Sequence, residues 1–104
     1  MRLAANKENG VLVAHLKGEL DQHSAASVRS ELDSLLSDKG ITRIEFDLSG
    51  VTFMDSSGIG VILGRYRIIS ERGGTMGISK PQRNVERLLK LSGIYTLCTE
   101  RSRK

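Results

Sequence analysis

Short apolar segments with strand spacing alternate along this chain with longer segments of helical spacing, and this alternation restricts the fold most. Strands are predicted where apolar residues are β-branched or occupy every second position, and helices where they recur every three or four residues. The predicted strands are 2–5, 11–16, 42–48, 75–79 and 95–99, and the predicted helices are 25–39, 59–72 and 82–92. Ser24 and Gly40 stand where the caps of the first helix are expected.

The order of these elements predicts the topology of the sheet. A helix between two strands forms a crossover, which joins parallel strands, whereas the turn-rich residues 6–10 predict an antiparallel hairpin at the start. We therefore predict an α/β fold with one mixed, mostly parallel sheet of four to five strands, an antiparallel edge and three to four helices. The chain has 104 residues, which is the size of one domain, so residues 1–104 are expected to form a single unit.

Composition narrows the classes of function. No apolar run approaches the roughly 20 residues of a membrane span, and the first ten residues lack the apolar core of a secretory signal, so a cytoplasmic protein without membrane contact is expected. Cys98 is the single cysteine, which excludes an internal disulfide and a multi-cysteine metal site. The net charge is +4 and part of it lies in a basic tail, 100–104, predicted to be disordered. With four aromatic residues, none within a basic cluster, nucleic-acid binding is not predicted.

The run FMDSSGIG, residues 53–60, stands where the third predicted strand gives way to the second helix. Ser56 or Ser57 can cap this helix, and Gly58 and Gly60 can allow close packing on the sheet. A dinucleotide-binding loop is not favoured, because Leu63 stands where its third glycine belongs. A phosphate-binding Walker loop is excluded as well, since no Gly-Lys-Ser/Thr occurs.

Two enzyme-like alternatives involve the histidines and the acidic residues. A serine hydrolase needs a base near Ser56, and the candidates are His15, within a predicted strand, and His23, near the start of the first helix. A phospho-aspartate receiver needs an acidic pair after its first strand to bind magnesium, and Glu19 with Asp21 is a poor match. Neither alternative is favoured. A serine modified by another protein remains, because it requires no base, metal or nucleotide loop in this chain.

Two blocks carry a resemblance to a known family. GELDQHSAASVRSEL, residues 18–32, and FDLSGVTFMDSSGIGVILGRYRIISERGG, residues 46–74, resemble the anti-sigma-factor antagonists of the STAS family. The resemblance implies a bacterial regulator without catalytic activity. It also implies that the first serine after the aspartate, Ser56, is phosphorylated by an anti-sigma factor that is a serine kinase. A metal-dependent serine phosphatase would remove the phosphate, and the unmodified protein would bind the anti-sigma factor and free the sigma factor.

The resemblance also implies which residues bind the partner. They are Asp21, His23, Asp55, Ser57, Gly58 and Ile59, with Asp55 orienting Ser56 and the Ser57 hydroxyl capping the helix. No cofactor or metal is expected in this chain, since ATP or ADP would be bound by the kinase, and the free protein is expected to be a monomer. Sporulation and stress response are both open as the regulated process, and a STAS scaffold or docking module of another signalling or transport system is the alternative function.

Two departures from the family pattern stand out. Gln22 lies where relatives often carry a further histidine, and the chain ends soon after Cys98, whereas relatives usually continue into a final helix. The first departure is expected to affect partner specificity. The second leaves open whether the C-terminal helix is present.

Overall fold

The computed structural model describes residues 1–99, and the predicted disordered tail 100–104 lies outside them. Its elements, in chain order, are β1 (Arg2–Glu8), β2 (Val11–Leu20), α1 (Ala25–Leu35), β3 (Arg43–Met54), α2 (Ser56–Glu71), β4 (Thr75–Ser79), α3 (Arg83–Ser92) and a 3-10 helix (Ile94–Leu97).

The strands form one sheet in the order β1-β2-β3-β4. β1 and β2 are antiparallel, and the pairs β2–β3 and β3–β4 are parallel. The hairpin turns at Asn9 and Gly10, whose φ angles of 53° and 80° are those of a tight two-residue turn. The predicted α/β class, the mixed sheet and the antiparallel edge are confirmed, with four strands and three α-helices in the described residues.

The core lies on one face of the sheet. Alternate residues of β3, beginning with Ile44, Phe46 and Leu48, are fully buried, while Arg43, Glu45 and Asp47 between them are partly exposed. This alternation gives the sheet one apolar and one polar face. The buried residues of the helices complete the same core; they include Val28, Leu32, Ile62, Ile69, Val85 and Leu89.

The caps of α1 differ from the prediction. Ser24 occupies the N-cap position, but its hydroxyl makes no cap bond and instead donates to the backbone carbonyl of Glu19 at 2.8 Å. At the other end, α1 stops at Leu35, so Gly40 is not its C-cap and lies in the turn that leads to β3. The sequence pattern placed the end too late because a polar turn separates α1 from Gly40.

Four of the predicted strands also differ from the structure, and the first two extend to Glu8 and Leu20 instead of ending at 5 and 16. β3 does not end at 48 but continues to Met54, because register irregularities in its pairing with β2 carry the ladder past Ser49 and Gly50. The predicted fifth strand at 95–99 is wrong: Gly93, at φ 78°, ends α3 and a 3-10 helix follows. At the edge of β4, the Thr99 N–H of this segment donates to the Met76 carbonyl at 2.8 Å.

Candidate functional site

Two strand-to-helix junctions meet at the carboxyl edge of the sheet. Leu20 and Met54, the last residues of β2 and β3, pair in the parallel ladder. The backbone N–H of Asp55 then donates to the carbonyl of Leu20 at 3.4 Å. The β2–α1 junction, with Asp21 and His23, and the β3–α2 junction, with Asp55 and Ser56, are therefore adjacent. The extra length of β3 is what brings them together.

Asp55 caps α2. One carboxylate oxygen accepts hydrogen bonds from the backbone N–H groups of Ser57, at 2.9 Å, and Gly58, at 3.4 Å. These donors lack partners within the helix, and a negative charge is favourable at a helix N-terminus. The expectation that the Ser57 hydroxyl caps the helix is wrong, because both serines lie inside the first turn and the aspartate precedes it.

The two serines differ in exposure. Ser56 is exposed, whereas Ser57 is partly buried, and neither hydroxyl forms a hydrogen bond within residues 1–99. The Ser56 hydroxyl therefore stands at the surface, one residue after the capping carboxylate, and a modifying enzyme can reach it without unfolding the helix.

Gly58 and Ile59 form the floor of this junction. A Cβ on Gly58 would lie 2.6 Å from the Met54 Cγ and 2.8 Å from the backbone oxygen of Leu20. Glycine thus lets the first turn of α2 approach β2 and β3. The Ile59 side chain is 8% exposed and belongs to the core. Both residues have a packing role here, and their direct contact with a partner stays a prediction.

Hydrogen bonds within the β2–α1 junction hold Asp21. Its carboxylate accepts from the backbone N–H groups of His23, at 2.9 Å, and Ser24, at 3.1 Å. Partial burial raises the pKa of Asp21, but the N–H groups of Ser24 and His23 outweigh it and the pKa lies below its ordinary value. His23 itself is exposed. The junction presents an ionised carboxylate in a fixed turn beside the Ser56 junction.

His15 is not placed to act as a base for Ser56. His15 Nδ1 lies 2.8 Å from the Asp47 carboxylate on the polar face of the sheet. It precedes Leu20 by five residues, which corresponds to roughly 16 Å along a strand, so it is remote from Ser56. The N–H of Ser49, aided by His15 and opposed by partial burial, lowers the pKa of Asp47 to about 2. Asp47 therefore lies within β3. The aspartate of a phospho-aspartate receiver would instead stand at the end of a strand.

One residue near the site escaped the sequence analysis. Phe53 is 45% exposed, directly before Met54 and Asp55, and it pairs with Glu19 of β2. The predicted strand ended at 48 and gave no signal for it, whereas the structure extends β3 to Met54 and exposes Thr52 and Phe53 in succession. Aromatic residues are enriched in protein-binding surfaces.

The described residues also show neither a metal-ion cluster nor a membrane-spanning helix. Within residues 1–99, no group of three or more His, Cys, Asp or Glu side chains is placed to hold a metal ion. None of the helices in that part of the chain is long and apolar enough to cross a membrane.

Comparisons with known proteins agree with this geometry. A profile of the STAS domain matches residues 2–101. An anti-sigma F factor antagonist of Paenibacillus polymyxa is 38% identical over 93% of this chain and 83% of its own. An anti-sigma-B factor antagonist of Bacillus subtilis is 31% identical over 84% and 77%, respectively. The structure of the Bacillus cell fate determinant SpoIIAA in its phosphorylated form superposes with a TM-score of 0.73 at 25% identity, covering 97% of this chain and 92% of that one.

Proposed function

This chain belongs to the STAS-domain family, and from that membership we propose that it is an anti-sigma factor antagonist whose binding is switched off by phosphorylation of Ser56. The observation that carries the proposal is the exposed Ser56 hydroxyl, free of hydrogen bonds within residues 1–99 and placed at the start of α2, directly after Asp55 and beside the junction that carries Asp21. Proteins named as antagonists of anti-sigma F and anti-sigma-B factors are among its relatives.

The cap of α2 explains how a phosphate would act. A phosphate at a helix N-terminus is usually stabilised by the first backbone N–H groups. Here the N–H groups of Ser57 and Gly58 already donate to Asp55. A phosphate on Ser56 would therefore stay at the surface and add about −1.5 to −2 charges beside Asp55. The fold is retained, and the changed property is the charge of the surface.

That change is sufficient for a switch. The unmodified surface presents Asp21, Asp55 and the exposed Phe53 to an anti-sigma factor. A phosphate in the interface with the anti-sigma factor must be desolvated next to existing carboxylates. A loss of about 3 kcal/mol of binding free energy would weaken the complex more than 100-fold. The phosphorylated protein would release the anti-sigma factor, which then recaptures its sigma factor.

The proposed partners follow from this scheme. An anti-sigma factor that is also a serine kinase would bring the ATP, and a metal-dependent serine phosphatase would restore the binding form. This chain would need neither a nucleotide nor a metal and would act as a cytoplasmic, non-catalytic regulator. The relatives are named as antagonists of anti-sigma F and anti-sigma-B factors, so the regulated sigma factor in this proposal is either a sporulation or a stress sigma factor.

The test uses the cognate anti-sigma factor with ATP or ADP and two matched variants. With ATP, the wild type is expected to gain one acid-stable phosphate at Ser56 and to lose binding more than 100-fold. Ser56→Ala should remain unphosphorylated and should bind the anti-sigma factor in the presence of either ATP or ADP, because its surface is nearly unchanged. Ser57→Ala, the control one residue away, should be phosphorylated and released like the wild type.

Phosphopeptide mapping and binding assays on the same samples decide the outcome. Label on Ser57 in the Ser56→Ala variant at a normal rate would show that the site is misassigned. Phosphorylation of Ser56 without loss of binding would refute the switch while leaving the site intact.

A further inference from the structure

The outer edge of β1 has unused hydrogen-bonding groups. β1 is the terminal strand of the sheet, and within residues 1–99 no other segment pairs with its outer side. Glu8 and Val11 flank the two-residue turn, so they form a hydrogen-bonded pair with each other. Backbone N–H and C=O groups of successive residues point to opposite sides of a strand. Those of Leu3, Ala5 and Lys7 therefore point away from β2. Such an edge is a template for another strand.

The sequence of this edge is complementary to itself. If two copies of β1 pair in antiparallel fashion about Ala5, each Ala5 faces the other and each Leu3 faces Lys7 of the second copy. All three outward residues then donate and accept one hydrogen bond. In the same register Arg2 stands opposite Glu8 of the second copy, at both ends of the ladder. A shift by two residues separates these opposite charges.

The charges of β1 are poorly placed in the single chain. Arg2 pairs with Lys17 in the β1–β2 ladder, and like charges directly opposite each other are destabilising. Neither Arg2 nor Glu8 forms an ion pair with any residue in the described part of the chain. A second copy would supply each of them with an opposite charge.

Lys7 does not block this pairing. Lysine on an edge strand usually prevents association, but the ammonium group of Lys7 lies 3.4 Å from the Asp38 carboxylate, which offsets its charge. Beside Leu3 there is also an open groove between β1 and α1, lined in part by Glu31 and Leu35. Lys7 of the second copy would stand opposite Leu3 and close to Glu31.

We propose that β1 is a self-association surface through which two copies of this protein join their sheets in a weak two-fold symmetric dimer. This proposal differs from the expectation that the free protein is a monomer. Ser56 follows β3, which is two strands away from β1, so both copies keep the Ser56 junction accessible. The inference therefore stands or falls independently of the proposed function.

Sedimentation equilibrium of the whole chain, from about 10 µM to about 1 mM, tests the proposal, since an interface of this size is expected to be weak. The wild type should show a monomer–dimer equilibrium. Arg2→Glu and Glu8→Arg should each weaken it at least about tenfold, because like charges would then meet across the axis. The double variant Arg2→Glu/Glu8→Arg should restore it. Arg2→Glu should also keep or raise the thermal midpoint, because a carboxylate would then face Lys17; an effect on folding alone would not give this combination.

Ala5→Pro is a second, independent variant. It removes an outward N–H and leaves the β1–β2 hydrogen bonds intact, so it should abolish the dimer in a folded protein. A wild type that stays monomeric at every concentration overturns the proposal. So does a dimer that survives the single charge reversals, or a double reversal that fails to restore it. If Ala5→Pro does not fold, the charge series alone decides.

Discussion

The two strand-to-helix junctions at the carboxyl edge of the sheet both begin with an aspartate, yet different contacts hold them in place. At the β3–α2 junction, Asp55 alone supplies the side-chain acceptor for the helix, and Gly58 lies directly against Leu20 and Met54. At the β2–α1 junction, a second side chain adds to the bonds of the Asp21 carboxylate: the Ser24 hydroxyl accepts from the Asp21 N–H and donates to the Glu19 carbonyl. The first junction depends on close packing and one cap, and the second on a redundant set of hydrogen bonds. Ser56, the proposed switch residue, therefore belongs to the more closely packed junction.

The largest expected effect is on the packed junction. Gly58→Ala places a Cβ within 2.8 Å of the backbone oxygen of Leu20, which cannot rotate away as a side chain can. We expect a loss of about 3 kcal/mol in the free energy of unfolding, measured with urea. Gly60→Ala is the matched control, because a Cβ there meets no atom within 4 Å. It should stabilise the helix by about 0.5–1 kcal/mol. Equal effects of the two substitutions would contradict the close packing of Gly58 against Leu20 and Met54.

The sequence predicted the positions of these junctions better than the contacts that hold them. Strand and helix periods placed each aspartate between a predicted strand and the next helix, but the predicted strands ended at 16 and 48, several residues before Asp21 and Asp55. The extension of β3 to Met54 was not predictable, since it depends on pairing with β2 across irregular register. The burial of Arg65 within α2 was not predictable either, since it depends on α1, whose Asp33 carboxylate lies 3.0 Å from the Arg65 guanidinium.

The candidate site shows the same limit. The serine–aspartate motif identified Ser56 as a surface residue, but the assignment of the cap to Ser57 failed. Sequence preference allows aspartate and serine equally as N-caps, and the choice depends on where the helix begins. Phe53 was missed because the predicted strand ended at 48, so the place of Phe53 in β3 was not foreseen. Both errors concern residues 53–57, where β3 ends and α2 begins.

Substitutions of the two aspartates, Asp55 and Asp21, are expected to have intermediate effects on stability. Asp55→Ala removes the acceptor of two helix N–H groups and should cost about 1 kcal/mol of unfolding free energy. Asp21→Ala should cost less, because the Ser24 hydroxyl still joins that junction by accepting from the Asp21 N–H and donating to the Glu19 carbonyl. Asp55→Asn keeps an acceptor oxygen and should recover most of the loss. Urea titrations of the three variants at neutral pH measure the differences. A larger loss for Asp21→Ala than for Asp55→Ala would reverse the comparison.

The smallest expected effect is the acid sensitivity of the redundant junction. The pKa of Asp21 is lower in the folded protein than its ordinary value of 3.8, so its carboxylate binds protons less readily when folded. Its stabilising contribution is therefore complete above the ordinary value and is lost as the pH falls below it. The thermal midpoint of Asp21→Asn should fall less between about pH 5 and pH 2 than that of the wild type. Asp47, with its pKa of about 2, loses its contribution in the same acid range in both proteins, so the difference between them isolates Asp21. Parallel midpoint curves for the two proteins would show that the bonds from Ser24 and His23 do not favour the ionised carboxylate, and the β2–α1 junction would then be held by its backbone alone.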